Sequence, residues 1–175
     1  MKFHDFIADE KVIQAANKRH EGILEVKDSQ YGKGVFALRN FRKGDMVVAA
    51  TAVHATSVKD SHTVQTNWNS HALMDVPATL INHSCSANVG PKDNDKGCYD
   101  WYAMKAILKG EEFFSDYESF ENEIEGFDCA CGTPECRGTL GGFSVHGEQL
   151  LKQYGNEYIA SYLKEAEECD TPSES

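Results

Sequence analysis

No apolar run in this 175-residue chain approaches the ~18 positions that a membrane-spanning helix needs, so no spanning segment is expected. The start, M-K-F-H-D-F, has one lysine and no apolar core, so secretion is not expected. Positive charge is scarce: 17 Lys and Arg stand against 28 Asp and Glu, for a net charge of -11, and no dense Lys/Arg run occurs. Phosphate repulsion would oppose DNA or RNA at every distance inside the Debye length, so direct nucleic-acid binding is disfavoured. The same acidity suits a cationic partner such as a lysine-rich peptide. The plainer reading is solubility, since Glu165, Glu167, Glu168, Asp170 and Glu174 crowd the end of the chain. No internal repeat is present. A dinucleotide fingerprint is missing too. Residues 32–37 spell G-x-G-x-x-A, but an apolar run and a charged turn follow instead of a helix, and position 53, where an acid is needed, is valine.

What is present points to one domain with short extensions, long enough to bury a core and 41% hydrophobic. Short strand candidates recur about every ten residues: Ile23 to Val26, Met46 to Val53, Thr63 to Trp68 and Trp101 to Ile107. Gly32 and Gly34 bracket a predicted tight turn. The pattern argues for a mostly β (α+β) fold and not for alternating βαβ units. Phe6 to His20 has modest helical periodicity. Leu150, Leu151, Tyr154, Tyr158, Ile159, Tyr162 and Leu163 lie at helical spacing, so a helix packed on the domain is predicted over 149–167. Thr171 to Ser175 is expected to be disordered.

The chemistry concentrates in Ile81 to Asn88, I-N-H-S-C-S-A-N. An amide, an imidazole and a thiol within four residues can bind a ligand, donate to a metal or act as nucleophile and base. His83 and Cys85 point to the same side of an extended chain, but nothing marks an oxyanion hole. Cys129, Cys131 and Cys136 form C-x-C-x4-C, spaced too closely for a comfortable mutual bridge. They sit in a glycine-rich stretch with little apolar material, where a metal would supply order. Structural zinc takes four ligands, and the fourth could be Cys85, Cys98, Cys169 or a histidine. The spacing matches no iron–sulfur pattern. Tyr117 closes G-E-E-F-F-S-D-Y; taken alone it reads as a packed tyrosine with a satisfied hydroxyl.

Taken together, G-K-G-V-F-A at 32–37, N-H-S-C-S-A-N at 82–88, G-E-E-F-F-S-D-Y at 110–117 and C-A-C-G-T-P-E-C-R-G at 129–138 resemble the SET-domain protein lysine methyltransferases, in that family's order. The resemblance implies small curved β-sheets with a pseudo-knot, plus flanking helices. It divides the chain into an N-terminal helical extension (1–20), a SET domain (21–126), a post-SET zinc segment (127–143), a C-terminal helix (144–169) and a disordered tail (170–175). It also implies S-adenosyl-L-methionine as methyl donor and one zinc ion. Lys33, Gly34, Asn82, His83 and Tyr117 would bind the donor. Cys85 would join Cys129, Cys131 and Cys136 on the zinc, and Tyr117 would be the active-site residue. Phe143 or Ala130 is the candidate to cover the adenine.

The implied reaction carries a methyl group to the ε-amine of a lysine in a histone tail or another basic protein or peptide. The implied location is intracellular, in nucleus or cytoplasm, as monomer or homodimer and away from membranes. A catalytically weak SET module that binds cofactor or peptide, and a SET-fold enzyme with a non-lysine substrate, are the alternatives. Three departures from the family pattern stand out. Ala87 replaces the usual proline. No cysteine-rich segment precedes residue 21, so the extra N-terminal zinc module of some relatives is not expected. Ser115 lies in the substrate channel where the family often has Phe or Tyr, which predicts a wider channel open to di- or trimethylation.

Overall fold

The computed structural model of the chain describes residues 9–165. Helix α1 (Glu10–Arg19) starts where Asp9 accepts a hydrogen bond from Lys11 N–H at 2.8 Å. Glu10 in its first turn and Lys18 and Arg19 in its last both favour the helix dipole, and Ile13 and Ala16 face the core. The part of the predicted helix before residue 9 lies outside the described residues.

Strands β1 (Leu24–Ser29) and β2 (Gly32–Ala37) form an antiparallel hairpin. Its turn is Gln30–Tyr31, so the two glycines sit inside β2 and do not bracket the turn as predicted. Close approach explains Gly34: a Cβ there would lie 2.2 Å from Glu112 Oε1. The predicted strand over 46–53 is also two elements, β3 (Met46–Val48) and β4 (Ala52–Thr56), which belong to different sheets. Between them the backbone bonds to side chains: Ala50 N–H donates to Asp100 at 3.0 Å and Thr51 N–H to Asp75 at 2.9 Å.

One three-stranded sheet orders β4, β6 (Ser70–Met74) and β5 (Thr63–Asn67); the other orders β3, β9 (Tyr99–Ala103) and β8 (Val89–Asp93). Strands β6 and β8 escaped the sequence reading, because neither shows clear alternation. The core between these sheets holds Tyr99, Trp101 and Phe120, with Trp101 and Phe120 edge to face at 5.5 Å. The molecule is thus built of small β-sheets with few helices, as a SET fold requires.

Two short ladders bring distant segments together. Strand β7 (Asn82–His83) pairs in parallel with β10 (Phe114–Ser115). Strand β11 (Phe127–Asp128) pairs antiparallel with β12 (Thr139–Leu140) and frames the cysteine loop. After this the single C-terminal helix of the sequence reading is broken. Helix α2 (Phe143–Tyr154) ends at Gly155, whose φ of +75° suits a helix terminator. A 3-10 turn (Asn156–Tyr158) and helix α3 (Ser161–Glu165) follow, and the remainder of the predicted helix lies outside the described residues. The stripe still packs inward: Leu150, Tyr158, Ile159, Tyr162 and Leu163 are buried. Among the described residues, no helix is long and apolar enough to cross a membrane.

Gly90 in β8 joins this C-terminal turn to the sheet, since a Cβ there would lie 2.7 Å from both Met104 Sδ and Tyr158 Cβ. Gly90→Ala is therefore expected to cost about 1–3 kcal/mol by overpacking. Urea denaturation reads this as a lower midpoint; an unchanged midpoint would mean that the turn shifts freely.

Candidate active site

The pairing of β7 with β10 sets Asn82 opposite Phe114 and His83 opposite Ser115. Asn88 extends the join beyond β7. Its side chain donates to Glu112 C=O and accepts from Phe114 N–H, both at 2.8 Å, while its own N–H donates to Phe114 C=O at 3.0 Å. An amide side chain thus supplies the hydrogen bonds of a missing strand residue.

Asn82 donates to Lys33 C=O at 2.9 Å and to Glu112 Oε1 at 2.8 Å. It therefore ties the β2 hairpin to the motif loop. Lys33 contributes its backbone here; its ammonium turns outward to Asp28 at 2.8 Å. Glu112 also accepts from Ser29 Oγ at 2.9 Å, so its carboxylate organises three segments and leaves no room beside Gly34 for a side chain.

His83 is buried, with its ring 5.1 Å from that of Tyr117 and 5.6 Å from that of Phe127. Burial, reinforced by the Arg137 charge, pulls its pKa down to about 4. The imidazole is then neutral near pH 7. Its Nδ1 accepts from Tyr117 N–H at 3.2 Å, which leaves Nε2 to carry the proton toward Cys85 Sγ at 3.5 Å. The ring therefore spans from the sulfur cluster to the backbone of Tyr117. The Tyr117 hydroxyl donates to Ile81 C=O at 3.2 Å, and burial pushes its pKa up to about 12.

Tyr117 borders a cavity of about 440 Å³ whose walls include Ile81, Trp101, Ser115, Phe120 and Phe127. Two buried polar atoms on this wall, Ser115 Oγ and Trp101 Nε1, have no hydrogen-bond partner among the described residues. The cavity beside Ser115 combines these apolar walls with polar and charged residues, Lys59 and Glu121 among them. Phe143, by contrast, starts α2, is 7% exposed and belongs to the core, and it does not line this cavity. Its ring packs on Gly147 one helical turn on.

Cys85, Cys129, Cys131 and Cys136 bring their sulfurs within 4.8 Å of one another. Four sulfurs around a tetrahedral ion at ~2.3 Å would stand about 3.8 Å apart. Cys85 and Cys129 meet this value at 3.8 Å. Four thiols gathered so tightly, one fully buried, form a donor set able to hold a soft metal ion. Cys98 lies elsewhere, against Asn94, and Cys169 lies outside the described residues.

The residue that sequence reasoning missed is Arg137, directly after the last of these cysteines. Its side chain is 4% exposed. Nη2 donates to both oxygens of Asp116, at 2.6 and 2.7 Å, and Nε stands 2.5 Å from Glu118 Oε2, off the hydrogen-bond line. Glu118 is fully buried and accepts from Gly141 N–H at 2.7 Å, Gly142 N–H at 2.8 Å and His146 Nδ1 at 2.8 Å. Burial alone would raise its pKa; bonds from His146 and Gly142 and the charge of Arg137 outweigh that and hold the carboxyl below its ordinary value. Asp116 immediately precedes Tyr117, so this ion cluster fixes the cysteine loop against the tyrosine's own backbone. No spacing rule signals it. The only hint in the sequence is a lone arginine beside a metal-type motif.

Comparison with known proteins matches residues 32–118 to the SET domain. Histone-lysine N-methyltransferase ash1 of Drosophila melanogaster is 41% identical over 75 residues, covering 41% of this chain and 3% of that protein. The H3 lysine-4 specific histone-lysine N-methyltransferase of Schizosaccharomyces pombe is 31% identical over 129 residues, covering 61% of this chain and 14% of its own length. The H3 lysine-36 specific enzyme of Saccharomyces cerevisiae is 38% identical over 68 residues, covering 37% of this chain and 9% of its own. The chain thus spans at most 14% of the length of these three relatives.

Arg137→Met would leave Asp116 and Glu118 buried without their cation. The expected loss is about 3–5 kcal/mol of folding stability, read by chemical denaturation. A loss below about 1 kcal/mol would show that the carboxylates are reached by water or by another cation.

Proposed function

We propose, since this chain belongs to the SET-domain family, that it is an S-adenosylmethionine-dependent methyltransferase acting on the ε-amine of lysine in a basic protein. The observation that carries this reading is the meeting of His83, Tyr117 and the apolar cavity across the two-residue β7–β10 ladder. The relatives are named as histone-lysine enzymes, so a histone tail is the substrate class to test first, with nucleus or cytoplasm as its place of action.

The methyl donor would lie beside Lys33, Gly34, Asn82 and His83. When bound, the donor would supply a methyl group on a sulfonium, open to attack by an amine. Cys85, Cys129, Cys131 and Cys136 would hold one zinc ion, whose work is structural: it would keep the loop of residues 129–136 on the motif loop and water out of the site.

The chain's residues act on the nucleophile. An ordinary lysine has a pKa near 10.4, so under about 0.1% is free amine at pH 7. The apolar walls Ile81, Trp101 and Phe120 disfavour its charged form and lower that value. Tyr117 keeps its own proton, because its hydroxyl is held well above neutrality and bonded to Ile81 C=O. It therefore orients the amine and does not accept the proton as a base. Neutral His83 fixes the Tyr117 backbone, and the Arg137 cluster fixes Asp116 next to it.

A second reading, a SET module that binds peptide or cofactor with little turnover, is favoured by one observation: the Ser115 hydroxyl beside the cavity has no hydrogen-bond partner among the described residues. Labelled methyl transfer to histones or to a basic peptide separates the two readings.

Under the first reading, kcat/KM for a lysine peptide is expected to rise about tenfold from pH 7 to pH 8, because the substrate amine loses its proton there. Tyr117 titrates far above that range, so Tyr117→Phe is expected to lower the rate by ~10²-fold yet keep the same slope. A slope that vanishes in Tyr117→Phe would make the tyrosine the base. Product size gives a separate check. Wild-type protein is expected to yield di- or trimethyl-lysine by mass spectrometry, and Ser115→Tyr to shift the product to monomethyl-lysine. A wild-type product confined to monomethyl-lysine would refute the wide-channel reading.

A further inference from the structure

The cavity beside Tyr117 has a charged rim that the chemistry above leaves unused. Glu121 lines it at 5% exposure. Its Oε1 accepts from Gln65 N–H at 2.7 Å. Its Oε2 is buried without a hydrogen bond among the described residues, and Lys59 Nζ stands 3.2 Å away. The same ammonium donates to Glu123 C=O. Lys59 lies in the loop between β4 and β5, and Glu121 and Glu123 lie just after Tyr117, so the lysine straps one side of the rim to the other. The two partners differ in freedom. The Lys59 side chain is 49% exposed and can swing into water, whereas the Glu121 side chain, at 7%, cannot follow it. A buried carboxylate oxygen left without a partner is costly, so a departing Lys59 calls for another cation.

We propose that Glu121 is the subsite for a positively charged side chain of the substrate peptide, and that Lys59 is a built-in competitor that closes the rim until such a peptide displaces it. The proposal rests on the lysine-methyltransferase reading and adds to it how the basic substrate is recognised and admitted. Displacement is accessible because the incoming cation takes the place of Lys59 at the same carboxylate, so the buried charge is not left unpaired. The cation could be the target lysine on its way in or a flanking Lys or Arg, and the two sources share the same chemistry at Glu121.

Binding tests this without any methyl transfer. A fluorescein-labelled peptide with one lysine flanked by arginines is titrated with the 175-residue chain and followed by anisotropy. Two further peptides carry glutamine at the flanks or norleucine at the lysine. Lys59→Ala is expected to tighten the basic peptide about fivefold and Glu121→Gln to weaken it about fivefold. In the double variant the gain from Lys59→Ala is expected to vanish, a coupling that general loosening of the fold would not produce. Glutamine retains the acceptor for Gln65 N–H, and a thermal melt checks each variant; if Glu121→Gln melts early, Lys59→Ala decides alone. Loss of the Lys59→Ala gain with the norleucine peptide assigns the cation to the target lysine, and loss with the glutamine-flanked peptide assigns it to the flank. Unchanged binding by Lys59→Ala, or an undiminished gain in the double variant, would overturn the proposal. Lys59-dependent binding without methyl transfer would sink the enzyme reading instead, and methyl transfer indifferent to both residues would sink this one.

Discussion

Two parallel residue pairs, Asn82 with Phe114 and Ser115 with His83, are the contact on which the site depends. A ladder this short cannot stand on its own hydrogen bonds. It lasts because its surroundings supply what it lacks. Ser84 N–H adds a bond to Ser115 C=O at 3.0 Å, Asn88 mimics a further strand residue, and Glu112 anchors Asn82 from the far side. Parallel pairing also needs a long connection, and here that connection is β8, β9 and the turn after them. The three-stranded sheet is therefore the spacer that makes the motif loop and the tyrosine segment meet.

The second organising feature is charge placed where water is absent. An acidic protein keeps one arginine inside, between two carboxylates, and satisfies the rest of Glu118 with backbone N–H groups and His146. Such a cluster contributes little net energy when complete, but it permits one geometry only. The cysteine loop thus meets the rest of the site at two points, where the four sulfurs gather and where the arginine one residue further on pairs with Asp116 beside Tyr117.

Much of this was readable from the chain itself. The four motifs are local, and their residue types announce chemistry whatever the fold. The fourth partner of Cys129, Cys131 and Cys136 was not readable from spacing, because Cys85 is remote in sequence; resemblance to a family singled it out, and the gathered sulfurs include it. Element boundaries failed where side chains replace backbone partners, as between β3 and β4, or where a single glycine ends a periodic stripe, as at Gly155. The glycine pair misled because a turn and a close approach both call for glycine: Gly32 closes the turn with a φ of +102°, whereas Gly34 lies where Glu112 approaches. Arg137, Glu118 and Glu121 were invisible for a different reason. A charged residue looks like surface until its partners, distant in sequence, are seen to bury it.

Tyr154 has a consequence for where this domain can be cut. It sits in the last turn of α2, yet its hydroxyl lies 2.9 Å from Cys85 C=O and 3.1 Å from Asp116 Oδ2 and accepts from Ala87 N–H at 3.2 Å. Gln153 beside it reaches Cys85 C=O at 2.8 Å. The underside of the motif loop is therefore furnished by a helix beyond every recognisable signature. A truncation that stops at Gly138 would keep each motif and remove the floor they rest on.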